Sequence, residues 1–198
     1  MGESAMVEIH SDAASKYGDT WLVLYELEGV IATCDRLLEL TAAKSQDHVL
    51  LECHSTAALI KYVRCFGTGK RAGLSEDDLV GLPRDPVGVH RYFKDLRDKH
   101  IAHSVNPLEQ VRVGVILADD GRVDALGHLA GRNISMSDEQ ARTLKSLAAA
   151  LASRLRQSLD IQHAKLLRWA QEQPRSAFAD MPAQITIPDH SALRKPRA

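Results

Sequence analysis

Aromatic residues make up only 5% of this 198-residue chain, and cysteine occurs three times, at Cys34, Cys53 and Cys65, with no CxxC spacing. Strands draw on aromatic and β-branched side chains, so a chain this poor in rings and rich in Leu and Ala favours helices over a β-sandwich. An odd number of unclustered cysteines excludes a disulfide framework and suits free thiols in a reducing compartment. No excess of either charge exists: the formal net charge is −1, which gives no global case for a nucleic-acid or membrane-surface protein. A polyanion site must therefore come from local clustering. No apolar run approaches the roughly 20 residues that span a bilayer. The opening Met1-Gly2-Glu3-Ser4-Ala5-Met6 is acidic and short of apolar residues, unlike a secretory signal, and places Met6 where a myristoylation pattern wants Ser or Thr. A cytoplasmic protein without a membrane partner is expected.

What is present is an apolar fraction of 44% and a charged fraction of 26%, the balance of an ordinary globular domain. Leu24, Leu27, Ile31, Cys34 and Leu38 recur at helical steps and predict a first helix from about 19 to 40. Ser45 is placed to cap a second, with Val49, Cys53, Ala57, Ile60 and Val63 as its stripe. Gly67-Thr68-Gly69 ends it. Ser75 can cap a short turn at 76–80, with Leu74 and Leu79 as a hydrophobic staple. Asp85-Pro86 reads as a cap followed by a first-turn proline, opening a helix to about Ser104 with Val89, Phe93, Leu96, His100 and His103 along one face.

The period then changes. Val111, Val113 and Val115 alternate as in a strand, Asp120-Gly121 suits a two-residue hairpin turn, and 122–129 can return. Such a hairpin is marginal alone and should pack on the bundle or pair with another chain. Ser137 with Gln140 opens a last long helix to about Ala170, striped by Leu144, Leu147, Leu151, Leu155, Leu159 and Leu166. The expected fold is mainly α: a bundle of about four main helices over 1–172, with a β-hairpin at about 110–130 before the last. Residues 173–198, punctuated by Pro174, Pro182, Pro188 and Pro196, form an irregular tail.

One run concentrates chemistry: Leu96-Arg97-Asp98-Lys99-His100-Ile101-Ala102-His103. On a helix Arg97, His100 and His103 follow one row, and Arg97 to His103 rises about 9 Å. A guanidinium that can fork onto two phosphate oxygens then lies within reach of the same phosphodiester as an imidazole that titrates near neutral pH. Metal-free RNA cleavage needs those groups: a base for the ribose 2′ proton, a cation for the charge building on phosphorus, and an acid for the leaving 5′ oxygen. One helix carries too few of them. A two-fold dimer would complete the set.

These residues resemble the motif of the HEPN superfamily, an Arg, a polar residue, several more, then His, with wording close to its abortive-infection members. Arg97, Asp98 and His103 match its Arg, polar and His positions. The resemblance implies a helical bundle, a homodimer with the motif at its cleft, and a metal-independent endoribonuclease of phage defence or toxin–antitoxin systems, with an antitoxin as a possible partner. Asp98 stands where Asn is common, and could orient His103, pair with Arg97 or reduce phosphate affinity. The hairpin is an addition to a minimal bundle.

Plainer readings stand beside it. His100 shares the face of Phe93 and Leu96 and could be a core residue, while His103 could complement the helix dipole. Arg97 could serve an ion pair. Lys61, Arg64, Lys70 and Arg71 lie in a 61–73 stretch without a carboxylate, and Arg91, Lys94 and Lys99 flank the motif. If the second and third helices are adjacent, these form a basic surface for RNA, or simply a solvated face. Gly67-Thr68-Gly69-Lys70 is no P-loop, since Arg64 replaces the first glycine. Cys53, His54 and Cys65, or His100 with His103, fit no standard zinc spacing, so no metal or other cofactor is expected. The basic end Arg194-Lys195-Pro196-Arg197 could touch RNA. The alternatives to an RNA-cleaving enzyme are a non-catalytic module of the same kind, holding nucleotide, RNA or a partner protein, and a plain helical interaction domain.

Overall fold

The computed structural model describes residues 7–67, 72–101, 109–132 and 135–178. Helix α1 (Asp12–Ala42) starts well before the expected position because Ser11 caps it, its hydroxyl accepting from the Ala14 amide at 3.1 Å. Its early turns are held from across the molecule by helix α4 (Asp138–Glu172): Tyr17 Oη lies 3.3 Å from His163 Nδ1, and Thr20 meets Gln162. Further along, Glu28 pairs with Arg156 and Asp35 with Lys145. Those four pairings, rising in one helix and falling in the other, make α1 and α4 an antiparallel couple. Leu24, Leu27, Val30, Cys34 and Leu37 of α1 bury against Leu144, Leu147, Ala148 and Leu151 of α4. The α4 start is as expected, with the Ser137 amide donating to Gln140 Oε1 at 2.7 Å and the Gln140 amide to Ser137 Oγ at 3.2 Å.

Helix α2 (His48–Arg64) packs on α1 and departs from expectation twice. Asp47 caps it, accepting from the Leu50 amide at 3.0 Å, while Ser45 accepts from the Asp47 amide one step earlier. Its buried face is Ser55, Ala58, Leu59, Tyr62 and Val63, whereas Val49, Cys53 and Ile60 are exposed. A stripe of aliphatics alone omitted Tyr62, whose ring buries more surface than any of them. It also omitted Ser55, whose burial is satisfied because its hydroxyl accepts from the Met136 amide at 2.9 Å.

A 3-10 turn at Glu76–Leu79 follows, as expected after Ser75, with the Ser75 amide donating to Asp78 at 2.7 Å and Leu79 fully buried. Arg154 of α4 clamps that turn by donating to the carbonyls of Asp78 and Val80 at 2.9 and 2.8 Å. Helix α3 (Pro86–Leu96) is capped by Asp85, as expected, but does not run on regularly. At Arg97–Ile101 it opens into a π-helical turn. Residues 102–108, including His103 and the expected helix end, lie outside the described residues.

Strands β1 (Glu109–Leu117) and β2 (Val123–Arg132) form the hairpin, with Val113 opposite His128 and Val115 opposite Leu126. The return strand is longer than expected and the turn is different. The Gly121 amide donates to the Ala118 carbonyl and the Ala118 amide to Arg122, both at 2.9 Å, with Gly121 at φ +81°. This is a three-residue loop closed by a left-handed glycine, which relaxes register with a bulge beside Ile116 and Leu117. Among the described residues the hairpin makes no extensive contact with a helix and its aliphatic side chains are exposed, so it is not packed on its own bundle. No helix there is long and apolar enough to cross a membrane.

Leu27, fully buried between α1 and its neighbours, tests this arrangement. Leu27→Ala should lower the unfolding free energy by about 2–5 kcal/mol in a urea titration; a change below about 1 kcal/mol would mean that α1 is not centred on that contact.

Candidate phosphodiester site

The motif is positioned by a cluster of rings beneath α3. His90 and Phe93 are its buried side chains. His90 Nδ1 lies 3.1 Å from Tyr62 Oη, its ring centroid is 4.1 Å from that of Phe66, and Phe93 meets Tyr62 edge-on at 6.3 Å. Phe66 pairs with His90 while Tyr62 reaches Phe93, so α2 and α3 run antiparallel side by side, and the π-helical turn also lies beside α2. The adjacency on which a shared basic surface depended is therefore present.

Arg97 opens the π-helical turn. Its Nη1 contacts Asp98 Oδ1 at 2.7 Å, and both side chains are 34% exposed. Asp98 Oδ2 also accepts from Lys94 at 3.0 Å. Of the three roles open to Asp98, pairing with Arg97 is present among the described residues. In a π-helical turn the backbone bonds reach five residues rather than four, so the regular row that placed Arg97, His100 and His103 together does not carry across it. The His100 side chain and His103 lie outside the described residues.

The other basic candidates are also matched with acids. Lys99 pairs with Asp95 at 3.0 Å. Arg91 forks onto Glu76, with Nε–Oε1 at 3.0 Å and Nη2–Oε2 at 2.7 Å, and that contact lowers the Glu76 pKa and raises that of Arg91. Lys61 and Arg64 turn away to α1, reaching the two oxygens of Glu26 at 3.3 and 3.2 Å. The stretch from 61 to 73 has no carboxylate of its own, but the fold supplies one from 35 residues upstream. The described basic candidates thus form a chain of ion pairs rather than a bare positive face. Lys70 and Arg71 lie outside the described residues, as does the basic end at 194–197.

Three adjoining hollows follow the seam between α3 and α4, and Arg97 lines none of them. One, of about 410 Å³, is lined by Leu82, Pro83, Val89 and Leu147 together with Arg84, Thr143 and Ser146. A second of about 440 Å³ shares Arg84 and adds Asp138, Glu139 and Arg142 to the lining. Sequence reasoning named Val89 and Leu147 only as helix-stripe residues and passed over Arg84, Arg142, Thr143 and Ser146. The only hint in the sequence was the Arg84-Asp85-Pro86 corner, and in the structure both residues before the proline adopt positive φ, +64° and +43°.

Among the described residues no group of three His, Cys, Asp or Glu is placed to hold a metal. Burial pushes the thiols of Cys34 and Cys65 up to about 12, which leaves them protonated and poor nucleophiles. Compared with protein-family models, with curated proteins and with solved structures, the chain matches none.

Burial lowers the pKa of His90 below its ordinary 6.5, so the unfolded chain takes up this proton more readily than the folded one. The stability from neutral His90 is complete above pH 6.5 and is lost as pH falls through the window below it. Thermal unfolding should therefore shift downward between pH 7.5 and 5.5, and His90→Gln should flatten that dependence. An equally steep profile in the variant would assign the effect to other groups.

Proposed function

We propose that this protein is a HEPN-type, metal-independent endoribonuclease of phage defence or toxin–antitoxin systems, acting as a homodimer on RNA and held in check by an antitoxin protein. The observation that carries the reading is the placement of Arg97 and Asp98 in a π-helical turn, a distortion found frequently at functional sites. Arg97 is partly exposed and its partner is the adjacent residue. An ion pair this open to water contributes about 0–1 kcal/mol, so a phosphodiester can take the place of Asp98 at little cost.

In this mechanism His103 removes the ribose 2′ proton, the 2′ oxygen bonds to phosphorus, and the P–O5′ bond breaks. Arg97 stabilises the charge on the non-bridging oxygens. The leaving 5′ oxygen takes a proton from the second copy's imidazole, giving a 2′,3′-cyclic phosphate and a 5′ hydroxyl. Asp98 orients the guanidinium in the free protein, until the phosphodiester takes its place. Lys94, Lys99, His100 and Arg91 line the approach of the strand, with Lys61 and Arg64 further along α2. A second reading, a non-catalytic module for nucleotide, RNA or a partner protein, draws on the ion pairs: cations already matched by Glu26, Glu76, Asp95 and Asp98 suit a modest affinity for phosphate.

Incubation with mixed RNA in excess EDTA separates the two. Cleavage to cyclic-phosphate ends, reduced at least 100-fold in folded Arg97→Ala and His103→Ala variants, supports the enzyme. RNA retained uncut, or cleavage that survives both substitutions, refutes it. Asp98→Asn, which removes the competing charge, should tighten RNA binding severalfold.

A further inference from the structure

The hairpin is amphipathic, and its apolar face is bare. Side chains of paired residues share a face, and the register puts Val111, Val113, Val115 and Leu126 on one side, continued beyond the bulge by Leu117 and Val123. All six are more than half exposed, from 53% at Val115 to 77% at Leu126. The opposite face alternates Arg112, Gly114, Gly127 and Gly131 with Ile116 and Leu129. Alternation of this kind is the pattern of a strand with one buried side, yet no described helix covers that side. A two-stranded hairpin without a covering layer is marginal in water.

We infer that the hairpin is a self-association arm, with its six-residue aliphatic face packed on the same face of a second copy about a two-fold axis. Complete burial of an aliphatic side chain removes roughly 60–120 Å². Six of them from each copy reach the roughly 1,000 Å² in total that a specific interface requires. The centre of the face, Val111, Val113 and Val115 opposite Ala130, His128 and Leu126, holds no acid or Lys/Arg to select a foreign partner by charge, and the oppositely charged pair Glu109 and Arg132 lies only at its open end. Residues 109–132 hold no Phe, Tyr or Trp, which argues against a lipid surface, where such rings anchor amphipathic elements. Identical apolar faces are self-complementary under a two-fold, and two such layers stack about 10 Å apart with both hydrogen-bond ladders intact. The edges also lack the lysine or proline that usually protects a lone hairpin.

This inference goes beyond the nuclease reading and stands on the hairpin alone. It also has a consequence for that reading, because β1 begins eight residues after Ile101 and the chain between spans at most about 30 Å. Dimerisation through the arm therefore holds the two motif copies near one axis.

Sedimentation velocity of the full chain decides the matter. The wild type should be dimeric at micromolar concentration, and V113D/L126D should be monomeric, with dissociation raised at least 100-fold and unchanged helical circular dichroism. V115T/L126T, which keeps strand propensity, should weaken the dimer about tenfold. Leu129→Ser on the opposite face should leave it intact, as should Arg97→Ala, so a failed nuclease does not touch this result. A wild type monomeric at 100 µM, a V113D/L126D chain that stays dimeric, or equal disruption by Leu129→Ser would overturn the inference.

Discussion

The packing of the described helices is referred to the antiparallel contact between α1 and α4. These helices, 31 and 35 residues long, zip leucine against alanine and leucine along most of their length. They present between them the surfaces on which α2 and α3 lie. Isolated helices of ordinary composition are weakly stable in water, and tertiary burial of one face does most of the work. Polar pairs at the margins, Tyr17 with His163 and Glu28 with Arg156, set the register of a seam whose core contacts would tolerate sliding. Arg154 extends the same helix's influence by gripping the carbonyls of the turn before α3, so α4 reaches the segment that launches the motif.

The motif inherits its position from that scaffold at one remove. The Tyr62, Phe66, His90 and Phe93 rings fasten α3 to α2, and the π-helical turn begins one residue after α3 ends. A guanidinium at that point sits on a stable platform while its immediate partner, Asp98, is local and partly exposed. The Arg97 end of the motif is therefore anchored through α3 and loosely committed in charge. This suits a group that must trade one anion for another, and it distinguishes Arg97 from Arg91, whose two-point hold on Glu76 ties α3 to the preceding turn.

Much of the architecture was legible because it depends on periodicity and caps. The Ser137–Gln140 capping box, the Asp85-Pro86 start and the valine alternation of β1 are local signals, and each produced the expected element. The α2 stripe was misjudged because Ser55 and Tyr62 are polar by composition yet buried with their hydroxyls satisfied, which a count of aliphatics cannot register. The Ser11 start of α1 depends on support from α4, more than 140 residues away. The fate of the basic residues was hidden for the same reason: Glu26 and Glu76 are remote in sequence from the cations they meet. No composition rule announced the π-helical turn, since its residues, Arg-Asp-Lys-His-Ile, are all compatible with an ordinary helix.

The central functional claim is that Arg97 and His103 engage one phosphodiester together. Observation of the His103 imidazole by nitrogen-detected NMR, during titration with a 2′-O-methyl oligoribonucleotide that cannot be cleaved, tests it most directly. The account predicts that the His103 resonance shifts and its pKa rises as the anion binds, and that Arg97→Ala abolishes both changes. RNA that binds while the His103 signal stays fixed, or moves identically without the Arg97 guanidinium, would contradict it.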